Sequence, residues 1–274
     1  MAIKIIATDL DGTLMAPDHL TVTERTKNAL FNAHKKGVKI VIATGRALDF
    51  IGDVTKQIPF VDYIIYCNGA AVYDRAADTH IYESKVSPQV TRDFVEYLNA
   101  RPIHYHIYKD GHSFIQRSAM DYAVFTGLPQ AFLEDYMSKV RFCDDMFEVI
   151  GDEGAQVIDL FGVAKEYEDE INSMIEHNGL FSATAVKSEV AITAAGADKG
   201  NAITALCREL SVSFDEVMTF GDAPNDCPML SLAGYSFAME NGADVCKKTA
   251  KYIAPSNAED GVAQMIEKFV LTED

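Results

Sequence analysis

Positive charge is scarce in this chain. Its 274 residues hold 24 lysines and arginines against 41 aspartates and glutamates, a formal net charge of -17. Such a surface repels phosphate backbones and anionic lipid, so neither nucleic acid nor a membrane is an expected partner. An anionic substrate would need a local positive site, and a metal cation is one way to supply it. Long apolar runs are missing too: none approaches the ~20 residues of a membrane span. The opening strand from Ile3 to Ala7 is too short for a secretory leader and is followed by acidic residues. Cysteine is sparse. Cys67, Cys143, Cys207, Cys227 and Cys246 stand far apart with no C-x-x-C pair, which suits reduced thiols and a cytoplasmic address. No internal repeat, low-complexity tract or long linker interrupts the chain.

What is present is an alternation. Residues 3 to 8, "VKIVIA" (38–43) and "YIIYC" (63–67) are short, nearly continuous apolar runs, and residues 24 to 36 between the first two have helical spacing with Gly37 as a stop. Strands apolar on both faces and separated by helices predict a parallel sheet covered on both sides. Such sheets bind ligands at the carboxyl ends of their strands, where Asp9, Thr44 and Asn68 fall. From about residue 84 the rhythm changes to hairpins and mixed helices, with Ser87-Pro88 starting a helix and Asp110-Gly111 turning a hairpin. The first rhythm resumes near 195, with "EVMTF" (216–220), "YSFAM" (235–239) and a final helix over about 258 to 270. The expected fold class is therefore α/β: a doubly wound, Rossmann-like core over 1–83 and 195–274, interrupted by an inserted α+β module over 84–194.

The chemistry concentrates at strand and helix ends. "IIATDLDGTLM" (5–15) sets Asp9 and Asp11 against a buried strand, where two carboxylates are costly unless something offsets their charge. A bare structural account would be a strand followed by a polar turn at Gly12. Three further segments join it: Thr44-Gly45-Arg46, Lys199-Gly200 and "GDAPND" (221–226). With "CNGA" (67–70), "ADKG" (197–200), "GDAPNDCPML" (221–230) and "NAEDGVAQMIEKFV" (257–270), they occur in an order that resembles the haloacid dehalogenase superfamily of phosphatases, and within it the Cof-type sugar-phosphate phosphatases. The resemblance covers nearly the whole chain and implies a C2-type cap for the inserted module.

The resemblance also implies roles. Asp9 would be the nucleophile that takes the phosphoryl group and a ligand of Mg2+, with the Asp11 main-chain carbonyl and the Asp222 carboxylate as the ion's other protein contacts. Asp11 would protonate the departing oxygen and later take a proton from water. Thr44 would offer its hydroxyl and, with Gly45, backbone amides to the phosphate. Lys199 would face both phosphate and Asp9, Asn225 would contact the phosphate side, and Asp226 would orient Lys199 or a metal-bound water. Arg46 either attracts the anion or pairs on the surface, and Asn68-Gly69 is a turn that could touch substrate. His104 and His106 share one face of a strand with His112 nearby, but lack the partners of a zinc site. Ala191 and Pro224 depart from the family's pattern. The expected substrates are small phosphorylated metabolites, first sugar phosphates, with pyridoxal phosphate and FMN as further candidates. A phosphosugar mutase of the same superfamily is the alternative; a receiver-like signalling module would leave the inserted module unexplained.

Overall fold

The computed structural model describes residues 2–118, 130–183 and 189–272. In chain order its strands are β1 (Ile5–Thr8), β2 (Lys39–Ala43), β3 (Tyr63–Tyr66), β4 (Ala71–Asp74), β5 (Thr79–Glu83), β6 (His104–Lys109), β7 (His112–Gln116), β8 (Arg141–Cys143), β9 (Val157–Phe161), β10 (Phe181–Ala183), β11 (Glu189–Thr193), β12 (Val217–Gly221), β13 (Tyr235–Met239) and β14 (Tyr252–Ala254). Contacts divide the chain into two compact units. One comprises Met1–Gly45, Ile51–Tyr82 and Asp198–Asp274; the other comprises Arg46–Phe50 and Glu83–Ala197.

The first unit is built on a sheet in the order β14-β13-β12-β1-β2-β3-β4-β5. β1 pairs in parallel with both β12 and β2, so the sheet grows outward from β1 in both directions. That reversal is where doubly wound sheets open a crevice at their carboxyl edge. All four residues of β1 are buried, as are four of five in β2 and all five in β12. Each fully buried Ile or Val there contributes on the order of 2 kcal/mol, which favours this two-sided burial over exposed alternation. The helix Glu24–Lys35 shows how local signals agree with packing. Thr23 caps it by accepting from the Thr26 amide, His34 and Lys35 close its last turn, and Ala29, Leu30 and Ala33 turn inward.

The second unit has its own sheet, in the order β10-β11-β9-β6-β7-β8. One face of it, with Tyr105, Ile107, Ile158, Leu160 and Ile192, packs with Phe94, Leu98, Met146, Ile150, Ile171 and Ile175 of the helices Pro88–Asn99, Met146–Ile150 and Lys165–His177. The β6–β7 hairpin turns at Asp110 (φ 51) and Gly111 (φ 78), the paired positive angles of a two-residue loop that matches strand twist. Arg46–Phe50 joins this unit through Asp49, whose carboxylate meets His112 at 2.8 Å and Arg141 at 3.6 Å, and whose amide donates to the Gly111 carbonyl at 3.1 Å. Those partners lie 62 or more residues away in sequence, so nothing local announces the segment's allegiance. Ala191 sits on β11 opposite Asp159 of β9.

Candidate active site

Asp9 follows β1 directly, and its amide donates to the Phe220 carbonyl at 3.0 Å, which ties it to β12. The chain then makes one wide turn over Leu10–Leu14, closed by bonds from Leu14 N to Asp9 O (3.3 Å) and Met15 N to Leu10 O (2.9 Å). Gly12 permits that turn. Its φ is +77, and a Cβ there would lie 2.5 Å from Asp222 Oδ2. Thr13 Oγ1 donates to Asp222 Oδ1 at 2.6 Å. The Asp-x-Asp-Gly-Thr run thus does two things: it presents Asp9 at the strand end and grips the carboxylate that arrives from β12.

Asp226 is fully buried and has both oxygens engaged. Oδ2 accepts the amides of Asp222 (2.9 Å) and Ala223 (3.0 Å), holding the loop that carries Asp222, and Oδ1 accepts Lys199 Nζ at 2.6 Å. The same ammonium donates to Asp9 Oδ1 at 2.7 Å. Lys199 begins the helix Lys199–Leu210, capped by Asp198, and its side chain is wholly buried. Pro224 opens the short turn Pro224–Asp226, where no sheet bond is lost. Oxygens of Asp9, Asp222 and Asp226 lie within 4.8 Å of one another, the one such carboxylate group among the described residues.

Thr44 corrects one expectation. Its amide donates to the Ile65 carbonyl at 2.9 Å, because the β2–β3 ladder runs one residue beyond β2, so that amide does not serve a phosphate. The Thr44 hydroxyl and Gly45 are the candidate contacts at this turn. Gly45 lies against Asn68, whose Oδ1 would be 2.9 Å from a Cβ there and also accepts Asn225 Nδ2 at 2.9 Å. Gly45, Asn68 and Asn225 therefore meet, although they leave three different strands. Asn225 Oδ1 is buried without a hydrogen-bond partner among the described residues.

The structure does not group every predicted residue. The Asp11 carboxylate lies outside the three-aspartate group and pairs with His19 Nδ1 at 2.9 Å. Arg46 reaches the Phe50 carbonyl at 3.4 Å within the second unit. In that unit His104 and His106 face each other, Nε2 to Nε2, at 2.8 Å, with Ser113 Oγ 3.2 Å from His106 Nδ1. Thr13 and His19 are additional to the expected residues. Thr13 lies inside the Asp-x-Asp-Gly-Thr motif, whereas a histidine eight residues past Asp11 in a loop carries no sequence pattern.

Charge explains what this site needs. Against three carboxylates stands one ammonium, so the cluster is acidic by two charges when all are ionised. Burial pushes the Asp9 carboxyl well above the usual range; Lys199 opposes this, while Asp226, Asp222 and Asp11 add to it. Burial, then Asp226, pushes Asp222 up to about 6. Burial alone would lower Lys199, yet Asp226 and Asp9 hold it above its ordinary value, so the lysine stays charged. A hard divalent cation would fit. Its charge would match the excess, and carboxylate oxygens are its preferred donors.

The family model of haloacid dehalogenase-like hydrolases matches residues 6–266. The chain belongs to that family, and its class is that of the phosphoric monoester hydrolases. Similar proteins include 5-amino-6-(5-phospho-D-ribitylamino)uracil phosphatase YcsE of Bacillus subtilis, 27% identical over 269 residues that make up 98% of this chain and 96% of the relative. Pyridoxal phosphate phosphatase YbhA of Escherichia coli is 29% identical over 276 residues, 97% of this chain and 98% of the relative. A solved haloacid dehalogenase-like hydrolase from B. subtilis has a TM-score of 0.84 at 26% identity, over 98% of this chain and 100% of that one. No helix among the described residues is long and apolar enough to cross a membrane.

Proposed function

We propose that this phosphatase cleaves phosphomonoesters of small metabolites in two steps at Asp9. The observation that carries the reading is the buried Lys199 ammonium, 2.7 Å from Asp9 and 2.6 Å from Asp226. Burying such ions costs several kcal/mol each, and apolar residues of similar volume would stabilise the core as well or better, so stability does not explain them. Chemistry does. In the first step an Asp9 oxygen bonds to phosphorus as the ester oxygen leaves, taking a proton from the Asp11 carboxyl. In the second, Asp11 removes a proton from water, whose oxygen attacks the same phosphorus; phosphate departs and the Asp9 carboxylate is restored. Lys199, the Thr44 hydroxyl, Gly45 and Asn225 would hold the phosphate oxygens, and Asp226 would keep Lys199 in place. Mg2+, held by Asp9, Asp222 and the Asp11 carbonyl, would supply positive charge to the phosphate and screen it from Asp9.

Sugar phosphates are the first substrate class. The relatives named for a phosphoribityl compound and for pyridoxal phosphate support a range that includes both. A phosphosugar mutase is separated by assay, since it isomerises hexose phosphates without releasing phosphate. Asp9→Asn is expected to lower phosphate release by about 10⁴-fold or more and to abolish covalent labelling from a radioactive phosphoryl donor. Turnover that survives the change would overturn the reading. Chelation followed by titration with divalent ions tests the cation, with full recovery expected from Mg2+.

A further inference from the structure

His19 lies outside every motif, yet its ring meets Asp11. Nδ1 is 2.9 Å from Asp11 Oδ1, and both side chains are about one-third exposed. The loop that delivers the ring is firmly built. Ala16 N donates to Thr21 O at 2.8 Å and His19 N to Ala16 O at 3.0 Å, closing the turn on itself. Asp18 Oδ1 accepts the amides of Leu20 and Thr21, each at 2.9 Å, and its Oδ2 accepts the Thr21 hydroxyl at 2.6 Å. Gln57 clamps the loop from the neighbouring helix, donating to Leu20 O at 2.8 Å and accepting Val22 N at 2.9 Å. His19 itself has φ 59, a left-handed conformation uncommon outside glycine, for which asparagine, aspartate and histidine are the usual exceptions.

We infer that His19 is a positioning residue for Asp11. An imidazole protonated at Nδ1 donates to Asp11 Oδ1 and stops the carboxyl group from rotating, so that its proton is presented where the ester oxygen departs. Nothing is bonded or broken at His19. This rests on the reading of Asp11 as the acid. A carboxyl that turns freely loses part of the advantage of general acid catalysis, itself about 10²–10⁴-fold.

Leaving groups separate this role from a structural one. p-Nitrophenolate departs without a proton, whereas a sugar alkoxide needs one, and kcat/KM covers the steps up to that departure. Three variants of the full-length enzyme are compared on glucose 6-phosphate and p-nitrophenyl phosphate. His19→Gly suits the left-handed backbone but has no donor; His19→Asn suits it and keeps a donor near Nδ1; Asp11→Asn removes the acid. For His19→Gly the loss in kcat/KM on the sugar ester is expected to exceed that on the aryl ester by about tenfold or more, and His19→Asn should recover most of it. In the Asp11→Asn background His19→Gly should cost nothing further on the sugar ester, because the two act as one unit. Equal losses on both esters, or an asparagine no better than glycine, would overturn the role of His19. A different result strikes the premise: if Asp11→Asn lowers both esters equally, Asp11 is not the acid.

Discussion

Each unit buries a titratable cluster, and the two solve the problem in opposite ways. Around Asp9 the molecule keeps full charges, with Lys199 and Asp226 both wholly buried and joined at 2.6 Å. On β6 it buries His104 and His106 as a hydrogen-bonded pair, and burial followed by the neighbouring imidazole drives the His106 pKa well below 6.5. A neutral buried imidazole such as His106 needs only hydrogen bonds to be tolerated in the interior; separated charges need each other. Paying for ions makes sense where charge must be moved, so the contrast supports the proposed reading of the first cluster, not the second, as the reactive one.

The sharpest way to break the comparison is Lys199→Met. Removing the cation leaves Asp9 and Asp226 buried without a counter-charge, and loss of one partner of a buried pair costs about 3–5 kcal/mol. Urea unfolding should show that loss, and phosphate release should fall with it. Adding Asp226→Asn removes one stranded charge and should return part of the stability while activity stays lost. A single variant as stable as the parent would mean that the pair is not the anchor described above.

Acid and base should then pull the clusters apart. Asp222 is raised to about 6 from 3.8, so between those values the folded state holds more protons than the unfolded one. Stability from this group therefore declines as pH rises through that window, and bound divalent cation should flatten the decline. His106 has the opposite slope. Its folded pKa lies below 6.5, so the unfolded chain binds more protons and stability falls as pH drops below 6.5. Unfolding of metal-free Asp222→Asn and His106→Asn across pH 4 to 8, each subtracted from the parent, should give two differences of opposite sign. Slopes of the same sign would contradict the contrast.

The smallest effect should come from a residue outside both clusters. Thr23 caps the helix Glu24–Lys35 and donates to Asp260 at 2.6 Å. Thr23→Ala should cost about 1 kcal/mol in urea unfolding and leave both pH differences unchanged.

Much of the fold was legible because burial on both faces writes itself into the chain. β1, β2, β3, β12 and β13 fall where continuous apolar runs predicted them, and the helix at residues 24–35 carries its own cap and stop signals. The site was legible in part, since strand ends can be read and motifs name their chemistry. The Thr44 amide departs from its expected role for a tertiary reason. Whether a residue just past a strand still donates to its neighbour depends on register, and no local pattern states it. The same holds for Asn68 beside Asn225, for Asp49 with His112 and Arg141, and for His19 beside Asp11.

The amino-acid order alone determined which residues had to be buried, where strands and helices stop, and that carboxylates and a lysine sit at those stops. Local sterics, hydrophobic spacing and capping act over a few residues and are readable at that range. Only the folded sheet decided that Asp9, Lys199, Asp222 and Asp226, spread over more than 200 positions, share one buried cluster. Parallel strands bring distant loops to one edge, and the energies that select the partners there are Coulombic and desolvation terms, which depend on distance in space and not along the chain.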